Sequence, residues 1–308
     1  MTQTIGLTGG TGFIGGALIE SFLKQNIAVK ALVRDRSRCG SWENDVEIIE
    51  GDLFDASALN ALATDTGAIV HGAGVTHAIA LQIYEKANVV GARNVANAAF
   101  DAGAKLVHLS SISARMPALS AYAASKRQSE DAVAGANAIA LRLPAIYGPR
   151  DMVTLPYFKM VKTGIAPEPA TPSAARASIL HVEDAAHAIG HAISTSLKPG
   201  VYEIGDDRPE GYFWHEIGSI LGSVMGKTPK RLRAPRQILA PYHSASFAIS
   251  RLRKKTPSVR QGQINEFFHP DWVARDNLFN KIADWAPENS LKEGFAKTVR
   301  WYQEQGYL

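Results

Sequence analysis

The sequence predicts an α/β fold: a doubly wound parallel sheet with a smaller, mostly helical C-terminal lobe. Over roughly the first two hundred residues, short apolar runs bounded by glycine or polar turns alternate with runs of helical spacing. Strands and helices that alternate in this way form a parallel sheet with helices on both faces. The alternation stops at Tyr147-Gly148-Pro149, and the chain beyond it is mainly loop and helix.

The individual elements follow from the same pattern. We expect buried strands at TIGLTG, AVKALV, VEIIEGD, AIVHGAG, KLVHLSS and AIALRLP. We expect helices at GGALIESFLKQ, ASALNALATD, VVGARNVANAAFDAG and SKRQSEDAVAGA. Later, SILHVEDAAHAIGHAI reads as a strand end followed by a helix, VYEIGD as a strand, and LKEGFAKTVRWYQEQG as a closing amphipathic helix. The predicted sheet domain comprises residues 1–149 and about 178–205, and the lobe comprises about 150–177 and 206–308.

Composition sets limits on the class of protein. With 308 residues, 46% of them hydrophobic and 20% charged, the chain is long enough for two lobes of ordinary globular character. Its start, MTQTIGLTGG, lacks the basic and apolar regions of a signal peptide, and Cys39 has no disulfide partner, so we expect a cytoplasmic protein. Only His187 and His191 have ligand-like spacing, with no acidic or histidine partner beside them, so we expect no metal.

The charge is mild overall, +4, but unevenly distributed. No acidic residue lies between Glu216 and Glu266, whereas residues 227–260 hold a series of lysines and arginines. These basic residues are Lys227, Lys230, Arg231, Arg233, Arg236, Arg251, Arg253, Lys254, Lys255 and Arg260. The segment is either an electropositive surface that faces an anionic substrate or a membrane, or a plain solvated face. We expect no nucleic-acid partner.

A glycine-rich loop follows the first predicted strand and precedes a helix. In Thr8-Gly9-Gly10-Thr11-Gly12-Phe13-Ile14-Gly15, the first glycine permits a tight turn, Gly12 lets the backbone approach a pyrophosphate, and Gly15 lets the helix pack on the strand. The helix N-terminus adds free N–H groups for the phosphates. A purely structural turn is the alternative. The predicted dinucleotide-binding residues of this loop are Gly9, Thr11, Gly12, Phe13, Ile14 and Gly15.

The ends of the next two strands bear on the choice of cofactor. An acidic residue at the second strand's tip would bind ribose hydroxyls, whereas this chain has Val33 and Arg34 there, then Asp35. Arginine can hold a 2′-phosphate, and Arg36 and Arg38 add positive charge, so the sequence favours NADP over NAD. The third strand ends at Asp52-Leu53, where the carboxylate can accept a hydrogen bond from adenine and can also cap the turn.

Tyr122-Ala123-Ala124-Ser125-Lys126 places a phenol and an ammonium one helical turn apart. A phenol titrates near pH ~10 in water, and a nearby positive charge favours the phenolate, so the pair suits acid–base chemistry near neutral pH. The preceding strand ends in Ser110-Ser111, which supplies a hydroxyl to orient a carbonyl.

These motifs together resemble the extended short-chain dehydrogenase/reductase family, a Rossmann-fold group that includes sugar-nucleotide epimerases and dehydratases, dihydroflavonol reductases and 3β-hydroxysteroid dehydrogenases. The TGGTGFIG, GDLFD, HGAG, GARNV, SSI, YAASK, RLPAIYGPRD, HVEDAAHAI and VYEIG stretches occur in that family's order. The similarity extends over nearly the whole chain.

The resemblance implies a role for several residues. Tyr122 would be the catalytic acid/base, Lys126 would lower its pKa and hold the nicotinamide ribose, and Ser111 would polarise the substrate while Ser110 holds the strand end. The other implied cofactor-site residues are Ala73 and Gly74, through their backbone, Asn88, in support of the fourth strand's end, and Pro144, beside the nicotinamide. The family also implies a small-molecule substrate and allows a homodimer.

Three functions stay open at this point. The leading interpretation is an NAD(P)-dependent oxidoreductase, NADP-preferring, that interconverts a secondary alcohol and a ketone. A sugar-nucleotide epimerase or dehydratase with retained NAD is the first alternative, although only ten residues separate Ser111 from Tyr122, fewer than such epimerases have. A long insertion, QILAPYHSASFAISRLRKKTPS, further favours the reductase and steroid dehydrogenase branches. A non-catalytic nucleotide-binding regulator is the second alternative.

Overall fold

The computed structural model of the chain describes residues 4–78, 80–237 and 261–308. Within those residues the largest sheet has seven parallel strands, in the order β11-β6-β5-β4-β1-β2-β3. They are β1 (Ile5–Thr8), β2 (Val29–Val33), β3 (Glu47–Glu50), β4 (Ala68–His71), β5 (Lys105–Ser111), β6 (Ile139–Leu143) and β11 (Gly200–Glu203). The strand order reverses between β1 and β4, and dinucleotides bind at such a switch point in doubly wound sheets.

Helices cover this sheet, and most of them lie where the apolar spacing predicts. They are α1 (Phe13–Lys24), α2 (Ala56–Ala63), α3 (Leu81–Tyr84), α4 (Gly91–Asp101), α5 (Ala121–Val133) and α7 (Val182–Ser194), with a π-helical turn, Glu85–Val90, joining α3 to α4. In α1, Leu18, Ile19 and Phe22 are buried because residues three and four apart share a helix face. The predicted doubly wound α/β class is therefore confirmed.

The third strand is more exposed than the sequence pattern predicts. All of the early strands were expected to be buried, yet in β3 both Glu47 and Glu50 are exposed. The strand order explains the difference, because within the described residues β3 lies at one edge of the sheet and pairs only with β2. An edge strand has solvent on its unpaired side, and charged side chains there discourage pairing with another chain.

The described chain divides into two compact units. Unit 1 comprises Met1–Leu143, Ala185–Ile204 and Asp276–Trp285, and unit 2 comprises Pro144–Asp184, Gly205–Arg275 and Ala286–Leu308. The sequence placed residues 276–285 in the C-terminal lobe, but they belong with the sheet. There the Asp276 N–H donates to the Glu203 carboxylate at 3.1 Å, and His191 Nε2 is hydrogen-bonded to the Ala283 carbonyl at 2.7 Å.

Unit 2 combines helices with short strands that the sequence pattern mostly did not predict. Its helices are α6 (Leu155–Lys162), α8 (Trp214–Val224), α9 (Gln261–Phe267) and α11 (Leu291–Glu304), while α10 (Phe279–Ile282) belongs to unit 1. Its strands are β7 (Ala145–Tyr147), β8 (Ile165–Pro169), β9 (Arg176–Ala177), β10 (Ile179–His181), β12 (Tyr212–Phe213), β13 (Lys230–Ala234) and β14 (Asp271–Trp272). They form pairs β10-β7 and β13-β8 and a triplet β12-β9-β14.

An aromatic cluster forms the core of unit 2. Phe158 packs edge-on against Phe295 and Tyr302, and Tyr147 packs against Phe295 with the ring centroids 4.9 Å apart. All four side chains are almost completely buried. No helix among the described residues combines the length and the apolar character that a bilayer span requires.

Candidate active site

The turn between β1 and α1 requires glycine at two positions. Gly9 has a φ of +84°, and a Cβ there would lie 2.7 Å from the Ala73 nitrogen. A Cβ on Gly15 would overlap the Gly9 carbonyl, because the first turn of α1 packs directly on the loop. Side chains at these two positions would push the helix away from the strand, so the predicted roles of both glycines have a direct steric basis.

The N-terminus of α1 has no side-chain cap. Gly12 is its N-cap residue and offers no side chain to accept from the first-turn N–H groups. Those donors, with the positive end of the helix dipole, are the groups that bind a pyrophosphate in dinucleotide enzymes. The loop therefore fits the phosphates of NAD(P) through backbone atoms alone.

A cavity of about 350 Å³ in unit 1 adjoins this loop. Predicted cofactor-site residues that line it are Gly9, Thr11, Gly12, Arg34, Asp52, Leu53, Ala73 and Gly74. Phe13, Ile14 and Gly15 lie just beyond it, in the first turn of α1. The structure thus brings the ends of β1, β2 and β4 and the turn after β3 to one cavity, as expected at the switch point of the sheet.

Two arginines line the cavity near the end of β2. Arg34 and Arg38 both contribute to its wall. Asp35 instead accepts from the Ser37 N–H at 3.0 Å and the Ser37 hydroxyl at 2.6 Å, so its carboxylate caps the short turn that follows. Arg36 donates to Glu43 at 2.7 Å. The loop therefore places two arginines in the cavity wall, whereas the carboxylate of Asp35 is engaged by Ser37.

The turn after β3 forms another part of the wall. Asp52 accepts a hydrogen bond from the Phe54 N–H at 2.7 Å, which is the capping role that the sequence allowed, and it also lines the cavity. Leu53 and Phe54 add apolar surface, and Lys86 Nζ lies 4.7 Å from the centre of the Phe54 ring. An apolar wall with one carboxylate suits a purine ring that carries an amino group.

Asn88 supports the cavity without lining it. Its amide oxygen accepts from the Val75 N–H at 2.7 Å, and its amide nitrogen donates to the Val75 carbonyl and to the Ser125 hydroxyl, each at 2.9 Å. It lies in the π-helical turn and is almost completely buried. Asn88 thus ties the loop after β4, which carries Gly74, to α5.

Helix α5 carries the predicted catalytic pair. Ser120 caps its N-terminus by accepting from the Ala123 N–H at 2.9 Å, so Tyr122 lies in the first turn and Lys126 one turn later. Tyr122 is half-buried, and Lys126 is 9% exposed with its Nζ donating to the Leu109 carbonyl at 2.6 Å. Burial lowers the pKa of Lys126 to about 8, against the opposing attraction of Glu130.

The two serines at the end of β5 point to different surroundings. Ser110 is buried, and its hydroxyl donates to Glu130 at 2.6 Å. Ser111 is only partly buried, and its oxygen accepts from the Ser113 N–H at 3.2 Å at the start of the next turn. Because side chains alternate along a strand, Ser110 faces the interior, in keeping with its predicted structural role, and Ser111 occupies the outer position.

Two buried groups beside Lys126 were missed at the sequence level. His71 and His108 are paired across β4 and β5, and their rings stack with centroids 5.2 Å apart. Burial lowers the pKa of His71 to about 3 and the pKa of His108 well below its usual value, so both imidazoles are neutral. His71 is hydrogen-bonded to the Thr8 hydroxyl at 2.7 Å, which also accepts from the Ala73 N–H.

A buried ion network was missed as well. Glu130 binds Arg142 through two hydrogen bonds of 2.8 and 2.9 Å, Arg142 reaches Glu203 at 3.3 Å, and Arg115 donates to Glu203 at 3.1 Å. Arginine and glutamate are seldom buried unless paired. The available signal was the position of Glu130 four residues after Lys126, on the same face of α5.

The structure locates Pro144 and the basic 227–260 segment only in part. Pro144 follows β6 directly and belongs to unit 2, so its position beside the nicotinamide stays a prediction. Of the basic 227–260 segment, residues 238–260 lie outside the described part of the chain. Arg231 and Arg233 are described, and both face the buried Glu168, at 2.9 and 3.7 Å. These two guanidiniums are partly neutralised within unit 2.

Comparison with known proteins agrees with this geometry. A sequence model of the "NAD dependent epimerase/dehydratase family" matches residues 5–205. The chain is 36% identical to a ceramide reductase of Caulobacter vibrioides, over 99% of this chain and 96% of that protein. It is also 24% identical to a putative dihydroflavonol 4-reductase of Synechocystis, over 100% and 97% of the two chains.

A solved structure gives the same fold. The Bordetella bronchiseptica enzyme WbmG in complex with NAD superimposes with a TM-score of 0.74 at 20% identity, over 100% of this chain and 96% of that one. The family model covers more than half of the chain, and the motif resemblance points to the same group. The chain therefore belongs to the NAD-dependent epimerase/dehydratase family and is an NAD(P)-dependent enzyme of the extended short-chain dehydrogenase/reductase type.

Proposed function

We propose that this chain is an NADP-preferring reductase that interconverts a ketone and a secondary alcohol on a lipid of the ceramide class. The reaction type is inferred from the position of Lys126, which is buried one turn after Tyr122 and donates to the Leu109 carbonyl. The lipid class rests on the 36% identity to the Caulobacter ceramide reductase along nearly the whole chain.

The residues divide the chemistry between them. A bound nicotinamide supplies the hydride for the carbonyl carbon. Tyr122 donates its phenolic proton to the carbonyl oxygen as that oxygen gains electrons, and the positive charge of Lys126 stabilises the phenolate left behind. Ser111 donates a hydrogen bond to the same oxygen, where negative charge develops. In the oxidative direction Tyr122 takes the proton back.

The preference for NADP rests on the loop after β2. Arg34 and Arg38 line the cavity, whereas the carboxylate of Asp35 is held by Ser37. A carboxylate aimed at the ribose would repel a 2′-phosphate, and guanidinium groups would bind it through charge-assisted hydrogen bonds. The two arginines therefore favour the phosphorylated cofactor.

The decisive experiment replaces one hydroxyl. Tyr122→Phe should reduce ketone turnover by about 10²–10⁴-fold while NADPH binding stays near wild type, because the ring is kept and only the proton donor is lost. Tyr202→Phe is the matched control, since its hydroxyl donates to the Lys198 carbonyl at the edge strand β11 and should be dispensable for turnover. Turnover of the Tyr122 variant within tenfold of wild type would falsify the assignment.

The state of the cofactor in the purified protein separates the alternatives. Exchangeable NADP with net ketone reduction supports the reductase. NAD that stays bound through purification, with no net change in its redox state, would indicate an epimerase or dehydratase. Binding without turnover of any ketone or sugar nucleotide would indicate a nucleotide-binding regulator.

A lipid substrate gives the basic segment a role at a membrane surface. An anionic bilayer attracts each nearby lysine or arginine by about 1 kcal/mol, so four of them would hold the protein there reversibly. The test neutralises Arg251, Arg253, Lys254 and Lys255, which should abolish co-sedimentation with anionic liposomes. The control neutralises four exposed basic residues elsewhere: Lys24, Arg93, Lys281 and Lys292. Unchanged sedimentation of the first variant would show that the cluster is a plain solvated face.

A further inference from the structure

We propose that Glu130 is a positioning residue for this reaction: paired with Arg142, it joins the end of β5 to α5 and supplies the negative charge that keeps the buried Lys126 protonated. The inference rests on the proposed function for the part that Lys126 plays in proton transfer. The placement of Glu130 itself follows from the contacts of unit 1.

Glu130 lies at the junction of the elements that carry the catalytic residues. It is four residues after Lys126 on α5, so the two side chains share a helix face. One carboxylate oxygen accepts from the Ser110 hydroxyl at 2.6 Å, and Ser110 directly precedes Ser111. A change in the position of Glu130 would therefore move the helix that carries Tyr122 and the strand end that carries Ser111.

Arg142 holds this carboxylate in one orientation. Its Nε donates to one oxygen of Glu130 at 2.8 Å and a terminal nitrogen donates to the other at 2.9 Å, the two-point geometry of an arginine–carboxylate pair. Arg127 adds a further hydrogen bond, of 3.2 Å, from the helix surface. Beyond Arg142, Glu203 joins Arg142 to Arg115. Positive and negative groups thus alternate through the network.

The surroundings of Lys126 show why a negative charge is needed there. Its Nζ is hydrogen-bonded to a neutral carbonyl, and burial opposes its charged form. The titratable groups that face it are Tyr122 and Glu130 on α5, His71 on β4 and His108 on β5. Both histidines are held neutral by burial, and Tyr122 is the group whose proton Lys126 controls. Among the described residues, Glu130 supplies the compensating negative charge.

Stability alone is a weak reason for this network. Replacing a buried ion pair by well-packed apolar groups is often neutral or stabilising, because desolvation offsets the attraction between the charges. Burial and pairing with Arg142 do not distinguish Glu130 from Glu203, since Arg142 bonds to both and both carboxyls are almost completely buried. A role in catalysis distinguishes them, because Glu130 alone of the two shares a helix face with Lys126.

The test measures the titration of Lys126 directly in the full chain. Protein labelled with ¹³C at the lysine ε-carbon is titrated by NMR, and the Lys126 resonance is assigned by its loss in Lys126→Met. Glu130→Gln should lower the pKa of Lys126 by about one pH unit or more, because it removes an opposite charge one helical turn away. Arg142→Gln should raise it, because the variant removes a positive neighbour. Glu203→Gln, the matched control, should leave it at the wild-type value.

The directions of these Lys126 pKa shifts distinguish a catalytic role of Glu130 from a purely structural one. Glu130→Gln and Glu203→Gln with equal effects, or Glu130→Gln and Arg142→Gln with shifts in the same direction, would show a structural network and overturn the proposal. If Glu130→Gln does not fold, Arg142→Gln and the conservative Glu130→Asp decide: the first must raise the Lys126 pKa and the second must keep it within a few tenths of a pH unit of wild type. Any other result overturns the proposal.

Turnover gives a second, independent measurement. The alkaline limb of the kcat–pH profile for ketone reduction should move to lower pH in Glu130→Gln, while that of Glu203→Gln stays in place. Failure of the proposed function would leave no ketone turnover in any variant and would not affect the NMR titration. A normal titration shift with an unmoved kcat profile would overturn the catalytic part of the inference.

Discussion

Lys126 should make the native protein less stable than it would be with an apolar residue at the same position. Burial lowers its pKa from 10.5 to about 8, and each pKa unit corresponds to about 1.4 kcal/mol. Near neutral pH, charged and buried Lys126 therefore costs about 3 kcal/mol relative to the unfolded chain. Methionine fills a similar volume without charge but forfeits the hydrogen bond to Leu109, worth about 1 kcal/mol. Lys126→Met should then stabilise the protein by roughly 2 kcal/mol at pH 7 while it abolishes turnover.

The destabilising effect of Lys126 should depend on pH. The native state releases the Lys126 proton near pH 8, whereas the unfolded chain holds it until about pH 10.5. The unfolded state binds more protons in that interval, so Lys126 makes the unfolding free energy rise with pH between those values. Urea unfolding at a series of pH values should show that rise in wild type and in the exposed control Lys24→Met, but not in Lys126→Met. A Lys126→Met protein less stable than wild type at pH 7, with an unchanged pH slope, would refute the reasoning.

Two further predictions concern the cofactor loop and the core of unit 2. Arg34→Ala and Arg38→Ala should each weaken NADPH binding at least tenfold more than NADH binding, since a charge-assisted hydrogen bond is worth about 1.5–3 kcal/mol; equal losses in measured Kd for the two cofactors would contradict the assignment. Gly294→Ala should lower the unfolding free energy by about 1–3 kcal/mol, because a Cβ there overlaps the hydroxyl of the buried Tyr147. Gly135→Ala, with open space around its Cβ, should be close to neutral in the same denaturation assay.

Much of the architecture was predictable because it is encoded locally. The period of apolar residues distinguishes strand from helix, and the glycine loop between β1 and α1 needs only its neighbours in the chain to be recognised. Tyr122 and Lys126 were predictable for the same reason, since a separation of four residues on a helix places them on one face. The edge position of β3 was not predictable, because the order of strands depends on contacts between distant segments.

The sequence by itself determined the fold class, the family, and the residues that lie close together in the chain: the glycine loop, the arginines after β2, and the Tyr122–Lys126 pair. Only the tertiary structure decided which distant groups surround them. Arg142 and Glu203 come to Glu130 through the pairing of β5 with β6 and of β6 with β11. His71 meets His108 through the register of β4 on β5. Burial then sets their charge states, because it depends on what packs around a group rather than on its neighbours in sequence.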